Sequence, residues 1–216
     1  MNAGDIFNSE NKFFSAMNKA WDVLVLNFYF ILTVILGIGP AATALYYAIV
    51  KNVRRSRSYA TTEYFRAFRD NFKQGFIIGI IQLVCTVSLY FCYEYAMAMR
   101  AGSTFGQIYF AVWLLFTALF VFISMYVYPV LSRFSLTIRK TLRMAFVLAL
   151  RHLPTTIGIT MILLVMGLLC YLFPPAYLFA FAVYTLLKSL LMEKILRKYT
   201  PKPEEGDTST DAWYLE

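Results

Sequence analysis

Two apolar runs joined by a pair of prolines decide the fold: IGITMILLVMGLLCYLFPPAYLFAFAVYTLLKSLL, residues 157–191. Lys188 is the only charged residue in this stretch. A helix that crosses a membrane needs about 20 predominantly apolar residues, and each run approaches that length. Proline cannot continue a helix, because it lacks a backbone N–H and clashes with the preceding turn. The two runs are therefore predicted to be antiparallel membrane-spanning helices with a tight turn at Pro174-Pro175.

The composition of the whole chain indicates a membrane protein. Of the 216 residues, 60% are hydrophobic and 15% are charged. In soluble domains about 45–50% of the residues are apolar and about 25% are charged. Such a chain is too apolar for a surface that faces water, which excludes a soluble enzyme, a secreted disulfide scaffold and a nucleic-acid-binding domain. The three cysteines lie within apolar runs without C-x-x-C spacing, so neither a disulfide nor a zinc site is expected.

Hydropathy predicts an all-α, polytopic protein with about five transmembrane helices and additional amphipathic interfacial helices. The predicted spans are residues 23–50, 76–99, 108–130, 157–173 and 176–191. They form a membrane domain at 23–199, with an amphipathic segment at 1–22 before it and an acidic tail at 200–216 after it. Gly39-Pro40 interrupts the first span. We expect a single kinked crossing there on the basis of its length; a chain that turns back at Gly39-Pro40 is the alternative.

The distribution of lysine and arginine predicts the orientation. Seven such residues lie between the first and second spans, one between the second and third, five between the third and fourth, and four after the fifth. Short loops rich in Lys and Arg stay in the cytoplasm. The two basic loops and the C-terminus are therefore expected to be cytoplasmic. A kinked first crossing places the N-terminus outside, and a turn at Gly39-Pro40 keeps it inside.

Two segments between the spans have the pattern of amphipathic helices. Residues 63–73 interleave aromatic and charged side chains, and residues 131–150 repeat apolar side chains every three or four positions. Basic amphipathic helices lie among lipid headgroups, which is the expected role; docking of a protein partner is the alternative. The basic side chains assigned to headgroups or to the cytoplasm are Arg54, Arg55, Arg57, Arg66, Arg69, Arg139, Lys140 and Arg143.

Ionisable residues inside the predicted spans are the first place to look for chemistry. Glu94 falls near the outer end of the second span, where a carboxylate is solvated. Lys188 lies deeper, and its side chain is expected to extend toward the cytoplasmic headgroups. The only histidine, His152, has no recognisable nucleophile or metal partner. The sequence thus predicts no catalytic residue, no metal and no cofactor, and we do not expect an enzyme.

Two further features are candidate binding positions. Gly39 and Pro40 form a break of the kind that exposes backbone groups to substrate in transporters, although close packing of helices through small residues is the commoner cause. The tail is acidic and ends in an aromatic anchor, Trp213, Tyr214 and Leu215. These three residues are candidates for contact with a partner protein; docking onto the chain's own basic loops is equally open.

Five pieces of the sequence together resemble the YesL family of bacterial multi-pass membrane proteins. They are IGPAATALYY at 38–47, YFRAFRDNFKQ at 64–74, Tyr128-Pro129 with Ser132-Arg133-Phe134, HLPT at 152–155 and DAWYLE at 211–216. The family has no assigned molecular function, and its genes often accompany carbohydrate ABC importers. The resemblance implies an accessory or regulatory partner of such an importer, in contact with importer subunits and the lipid bilayer. A small stand-alone transporter or channel is the alternative.

Overall fold

The computed structural model describes residues 12–54, 59–100 and 103–200, and every regular element in them is helical. The helices are α1 (Lys12–Thr33), α2 (Ile38–Ala48), a π-helical turn (Ile49–Arg54), α3 (Ala60–Asp70), α4 (Phe72–Arg100), α5 (Thr104–Arg133), α6 (Ile138–Arg151), α7 (Leu153–Leu172) and α8 (Tyr177–Leu196), with 3₁₀ turns at Pro174–Ala176 and Arg197–Tyr199. The predicted all-α class is therefore confirmed.

Four helices in the described residues are long and apolar enough to cross a membrane. They are α4, α5, α7, and α8 together with its flanking turns, which spans Pro174–Tyr199. Large apolar side chains are exposed along them, such as Leu115, Leu164 and Leu178. Because exposed surface of this extent is not stable in water, it is the surface that faces lipid. The 3₁₀ turn at Pro174–Ala176 joins α7 to α8, as the two prolines predicted.

The expected first span at 23–50 differs from the structure, because the chain reverses there. Helix α1 ends at Thr33, three turn residues follow, and α2 begins at Ile38. Val23 and Leu26 of α1 belong to the same buried cluster as Ile49 and Val53, and α1 contacts the π-helical turn. A single helix would place Val23 and Val53 about 45 Å apart. The segment is a helical hairpin, not a single kinked crossing.

The reversal comes slightly before the predicted break at Gly39-Pro40. Pro40 lies in the first turn of α2, where its missing N–H leaves no hydrogen bond unmade. Gly37 precedes the helix, and the amide of Ala41 donates to its carbonyl oxygen at 3.2 Å. Proline here begins a helix; it does not interrupt one.

Helix α2 lies at the centre of the fold. Most of its residues are buried, and it packs against α3, α4 and α5. Tyr46 contributes to the buried cluster that α2 shares with α4–α8. Ala41, Ala44 and Leu45 contribute to the cluster that α2 shares with α1, α3 and α8. Helix α2 therefore joins the two halves of the core.

Asn27 fixes α1 against the start of α8. Its side chain is fully buried, donates to the carbonyl of Leu178 at 2.9 Å and accepts from the amide of Ala182 at 2.9 Å. Leu178 and Ala182 are four residues apart, so these two groups would be hydrogen-bond partners in a regular α-helix. A buried amide side chain satisfied on both sides holds the two helices in register.

The contact between α2 and α4 depends on glycine. A Cβ atom at Gly39 would lie 1.9 Å from the carbonyl oxygen of Gly75, and one at Gly75 would lie 2.8 Å from the nitrogen of Pro40. The two backbones are in direct contact, and backbone atoms cannot move aside as a flexible side chain can. Small residues are thus required on both helices at this crossing.

We predict that Gly39→Ala lowers the free energy of unfolding by about 1–3 kcal/mol, since an added methyl group must displace packed backbone. Gly167→Ala is the matched control, because a Cβ atom at Gly167 meets nothing within 4 Å. Denaturant titration in mild detergent, followed by tryptophan fluorescence, measures both. Equal stability of the two variants would contradict the close contact.

Candidate functional site

A buried ion pair joins α5 to α8 at the end of the bundle where α4 and α7 begin, which we call the basic end. Arg133 Nη1 lies 2.5 Å from Glu193 Oε2, and the two side chains are 2% and 6% exposed. The hydroxyl of Tyr46 in α2 donates to Glu193 Oε1 at 2.9 Å. Burial, and then the charge of Glu193, raise the pKa of Tyr46 well above its usual value. The hydroxyl therefore stays protonated and acts as the donor.

A second ionic cluster fixes α3 to the π-helical turn. The Glu63 carboxylate accepts Lys51 at 3.0 Å and Arg66 at 2.9 Å, and Arg66 also donates to the hydroxyl of Tyr47 at 2.9 Å. Glu63 and Lys51 are both buried. The charges of Glu63 and Lys51 compensate one another, which is what allows both to be buried, and Arg66 reaches the same carboxylate from the surface.

The basic residues singled out from the sequence fall into three groups. Arg54 and Arg66 make internal contacts; Arg54 Nη1 donates to the carbonyl of Ser189 at 2.8 Å. Arg69, Arg139, Lys140 and Arg143 are exposed. Arg55 and Arg57 lie outside the described residues. Of those that the structure describes, most of the exposed charge belongs to α6.

A cavity of about 300 Å³ lies between α1, α2, α5, α7 and α8. Tyr46, which donates to Glu193 of the Arg133–Glu193 pair, is among its lining residues. Apolar side chains form most of its wall. Polar atoms come from Tyr46, Ser124, Tyr128, Tyr184, Thr185 and Lys188. The volume is at the lower end of the range for small-molecule sites, roughly 300–1,000 Å³.

Lys188 lines this cavity. The sequence predicted that its side chain extends to the cytoplasmic headgroups, and the structure shows that it does not. It is 7% exposed, because α8 is covered at this level by residues of α2 and α5. The ion pairs among the described residues do not include it. Its Nζ atom lies 5.7 Å from the centre of the Tyr184 ring. An ionisable residue buried inside a membrane bundle is by default a candidate functional residue.

The other polar groups of the cavity differ in whether they have partners. Tyr46 donates to Glu193, Tyr128 donates to Gln82 and the Thr185 hydroxyl donates to the carbonyl of Phe181. In the described part of the chain, the hydroxyls of Ser124 and Tyr184 make no hydrogen bond. Lys188 and these two hydroxyls are therefore the groups that a bound molecule can use.

The remaining candidates from the sequence lie apart from this cavity. Gly39 and Pro40 are buried against Gly75 and are not among the lining residues. Glu94 is exposed on α4. Trp213, Tyr214 and Leu215 lie outside the described residues.

His152 lies between α6 and α7 and contacts the end of the chain that the structure describes. Its Nε2 atom is 3.2 Å from the hydroxyl of Tyr199. Partial burial, followed by the positive charges of Lys198 and Arg151, lowers the pKa of His152 below 6.5. Within the described residues, no three His, Cys, Asp or Glu side chains are grouped so that they could hold a metal.

Sequence reasoning did not identify Glu193, Arg133 and Tyr46 as a unit. The available signal was an acid near the end of the apolar run of α8, a position that calls for a compensating charge. Its partner could not be chosen from the sequence, because Arg133 is 60 residues away and several other basic residues occur near the helix ends.

We predict that Glu193→Gln lowers the free energy of unfolding by about 3–5 kcal/mol, because the buried guanidinium of Arg133 loses the carboxylate charge with which it is paired. The double variant Arg133→Met with Glu193→Met should lose less free energy of unfolding than the sum of the losses caused by Arg133→Met and Glu193→Met separately. Tyr46→Phe serves as the control for the single hydrogen bond, with an expected loss of about 1 kcal/mol. Strictly additive losses in the Arg133 and Glu193 cycle would contradict the pairing.

We also predict that stability falls as the pH drops below about 6.5, the unperturbed pKa of histidine. The lowered pKa of His152 means that the unfolded chain binds this proton more readily than the folded protein, so protonation favours unfolding. His152→Asn should unfold with a smaller difference in midpoint temperature between pH 7.5 and pH 5.5. An unchanged difference would assign the pH effect to other groups.

Comparison with known proteins finds a similarity over part of the chain. Residues 18–93 are similar to a family described as a protein of unknown function, DUF624. No curated protein and no solved structure matches the chain. The matched region runs from α1 into α4 and includes the Gly39–Gly75 contact and the Glu63 cluster. It does not include Arg133, Lys188 or Glu193, so the similarity covers the helical hairpin and its packing onto α4.

Proposed function

We propose that this protein is a non-enzymatic, multi-pass protein of the bacterial plasma membrane that serves as an accessory or regulatory partner of a carbohydrate ABC importer. The observation that carries the proposal is the exposed face of α6 at the basic end. The importer itself comes from the resemblance to the YesL family. The similarity to DUF624 is consistent with a membrane protein and names no activity.

The proposed orientation places the basic end in the cytoplasm. Helices α4 and α7 begin there and α5 and α8 end there, so most of the lysine and arginine outside the spans lies at this end. Cytoplasmic loops carry such an excess. Because α1 and α2 form a hairpin, residues 12 and 54 lie on the same side. Four crossings then keep the segments before α1 and after α8 together in the cytoplasm.

The exposed face of α6 is suited to contact with another molecule. Thr141, Ala145, Leu148 and Ala149 anchor the opposite face in the bundle. Arg139, Arg143, Phe146 and Leu150 follow one another at helical spacing on the outside, and all four are exposed. A basic and apolar stripe on a helix held in place by its buried face fits an acidic, amphipathic partner segment. Insertion among anionic headgroups is the alternative use of the same face.

The acidic tail adds a second proposed contact. Trp213, Tyr214 and Leu215 are aromatic or apolar residues in an otherwise polar segment, and aromatic side chains dominate binding energy at protein interfaces. In the proposal this segment docks on an importer subunit. Docking on the protein's own α6 is the competing assignment.

A stand-alone transporter is the second candidate function. The cavity beside Lys188 favours it, because polar side chains in a membrane bundle mark substrate pathways. Apolar side chains such as Phe120, Val121 and Leu163 form much of that cavity wall. An accessory role needs no such pathway, and for this reason it is preferred.

Affinity purification from native membranes in mild detergent, after in-membrane cross-linking, tests the accessory role. We expect a carbohydrate importer subunit, identified by mass spectrometry, in near-stoichiometric yield. The triple variant Arg139→Glu, Lys140→Glu, Arg143→Glu should reduce that yield at least tenfold. A version that ends at Tyr199 reports separately on the tail.

The matched control reverses the charge at the opposite end of the bundle, Arg100→Glu, and should retain the partner. Recovery of the protein alone, or only with copies of itself, would exclude the accessory role. Equal retention of the subunit by the triple variant and the control would exclude α6 as the contact.

A further inference from the structure

The cavity beside Lys188 has a feature that the accessory role does not use: a buried lysine that pairs with no carboxylate among the described residues. Burying an ammonium group is costly unless an opposite charge and hydrogen bonds compensate it. The carboxylate of Glu193, which lies on the same helix, is paired with Arg133 at 2.5 Å. The ring of Tyr184, at 5.7 Å, supplies only a weak cation–π contact. The charge of Lys188 is therefore available to an anion.

The wall around this lysine is mostly apolar and carries a few polar side chains. Ser124 and Tyr184 contribute hydroxyls that have no hydrogen-bond partner among the described residues. Leu45 and Met125 line the interior and are buried. A cation with two free hydroxyls is a suitable receptor for phosphate or carboxylate oxygens.

The rim of the cavity faces the lipid. Ile38, Leu163 and Phe181 line it and are 53%, 38% and 40% exposed. These apolar side chains belong to α2, α7 and α8, and the latter two are membrane-spanning helices. A molecule that enters past this rim comes from the bilayer, and an apolar chain that remains at the rim stays in contact with apolar surface.

From these observations we infer that the cavity binds the anionic head of a membrane amphiphile, a phosphate or a carboxylate, beside Lys188. The acyl chain leaves between Ile38, Leu163 and Phe181. A volume of about 300 Å³ accommodates a headgroup and its first methylenes, not a whole lipid. This site is independent of the importer contact on α6 and goes beyond the proposed function.

Thermal unfolding of the purified protein in neutral detergent tests the site. The probes are phosphatidylglycerol, phosphatidylcholine with the same acyl chains, oleate, and inorganic phosphate. For the wild type, we expect phosphatidylglycerol or oleate to raise the midpoint temperature by several degrees more than phosphatidylcholine does. Inorganic phosphate should give no comparable shift. A full shift with inorganic phosphate alone would overturn the amphiphile and leave a free-anion site.

Lys188→Met is the diagnostic variant, and Lys194→Met is its matched control, because Lys194 is exposed on the same helix. Without lipid, Lys188→Met should unfold at the same or a higher temperature, since an uncompensated buried charge is removed. It should lose the extra shift given by the anionic amphiphile, and Lys194→Met should retain it. An equal anionic-lipid shift in Lys188→Met and the wild type would overturn the proposal.

Native mass spectrometry supplies a second readout that does not depend on stability. We expect the wild type and Lys194→Met to retain one anionic lipid after delipidation of the outer surface. Lys188→Met should retain none. Retention of the same number of lipids by all three proteins would likewise overturn the site.

Discussion

The buried contact among Arg133, Glu193 and Tyr46 is the interaction on which the arrangement of the helices depends. It joins α5, α8 and α2, which are far apart in the chain, at one end of the bundle. Hydrophobic attraction between helices is weak in a membrane, because lipid tails are as apolar as the side chains. A charged and hydrogen-bonded contact between helices that are distant in the chain therefore adds specificity to their apolar packing. Helix α2 takes part in this contact through Tyr46, whose hydrogen bond adds to the packing that holds α2 at the centre.

The close approach of Gly39 and Gly75 makes that central position possible. A larger residue at this crossing would collide with the backbone of the facing helix, so α2 and α4 could not keep their present separation. The same placement brings Ile38, Ala42 and Leu45 into the wall of the cavity. The cavity is thus a consequence of how α2 packs, and its polar groups come from the helices that the ion pair aligns.

The sequence predicted the features that depend on local pattern. Apolar length identified α4, α5, α7 and α8, and the proline pair located the turn between the last two. The reversal before α2 was not predicted as the favoured alternative, because continuous apolar length outweighed a single Gly-Pro pair. The burial of Lys188 could not be predicted either. Its extension to the headgroups assumes a lipid-facing helix, whereas neighbours from α2 and α5 cover that face.

Tyr46 connects the two unusual features of the bundle. Its hydroxyl donates to Glu193, and its side chain lines the cavity that contains Lys188. A ligand beside Lys188 therefore lies next to a residue that helps to hold α5 and α8 together at the basic end. Any ligand that binds better to one arrangement of these helices must favour that arrangement, and the effect is reciprocal. Tyr46 is thus the residue through which a ligand in the cavity would act on the contact with Glu193.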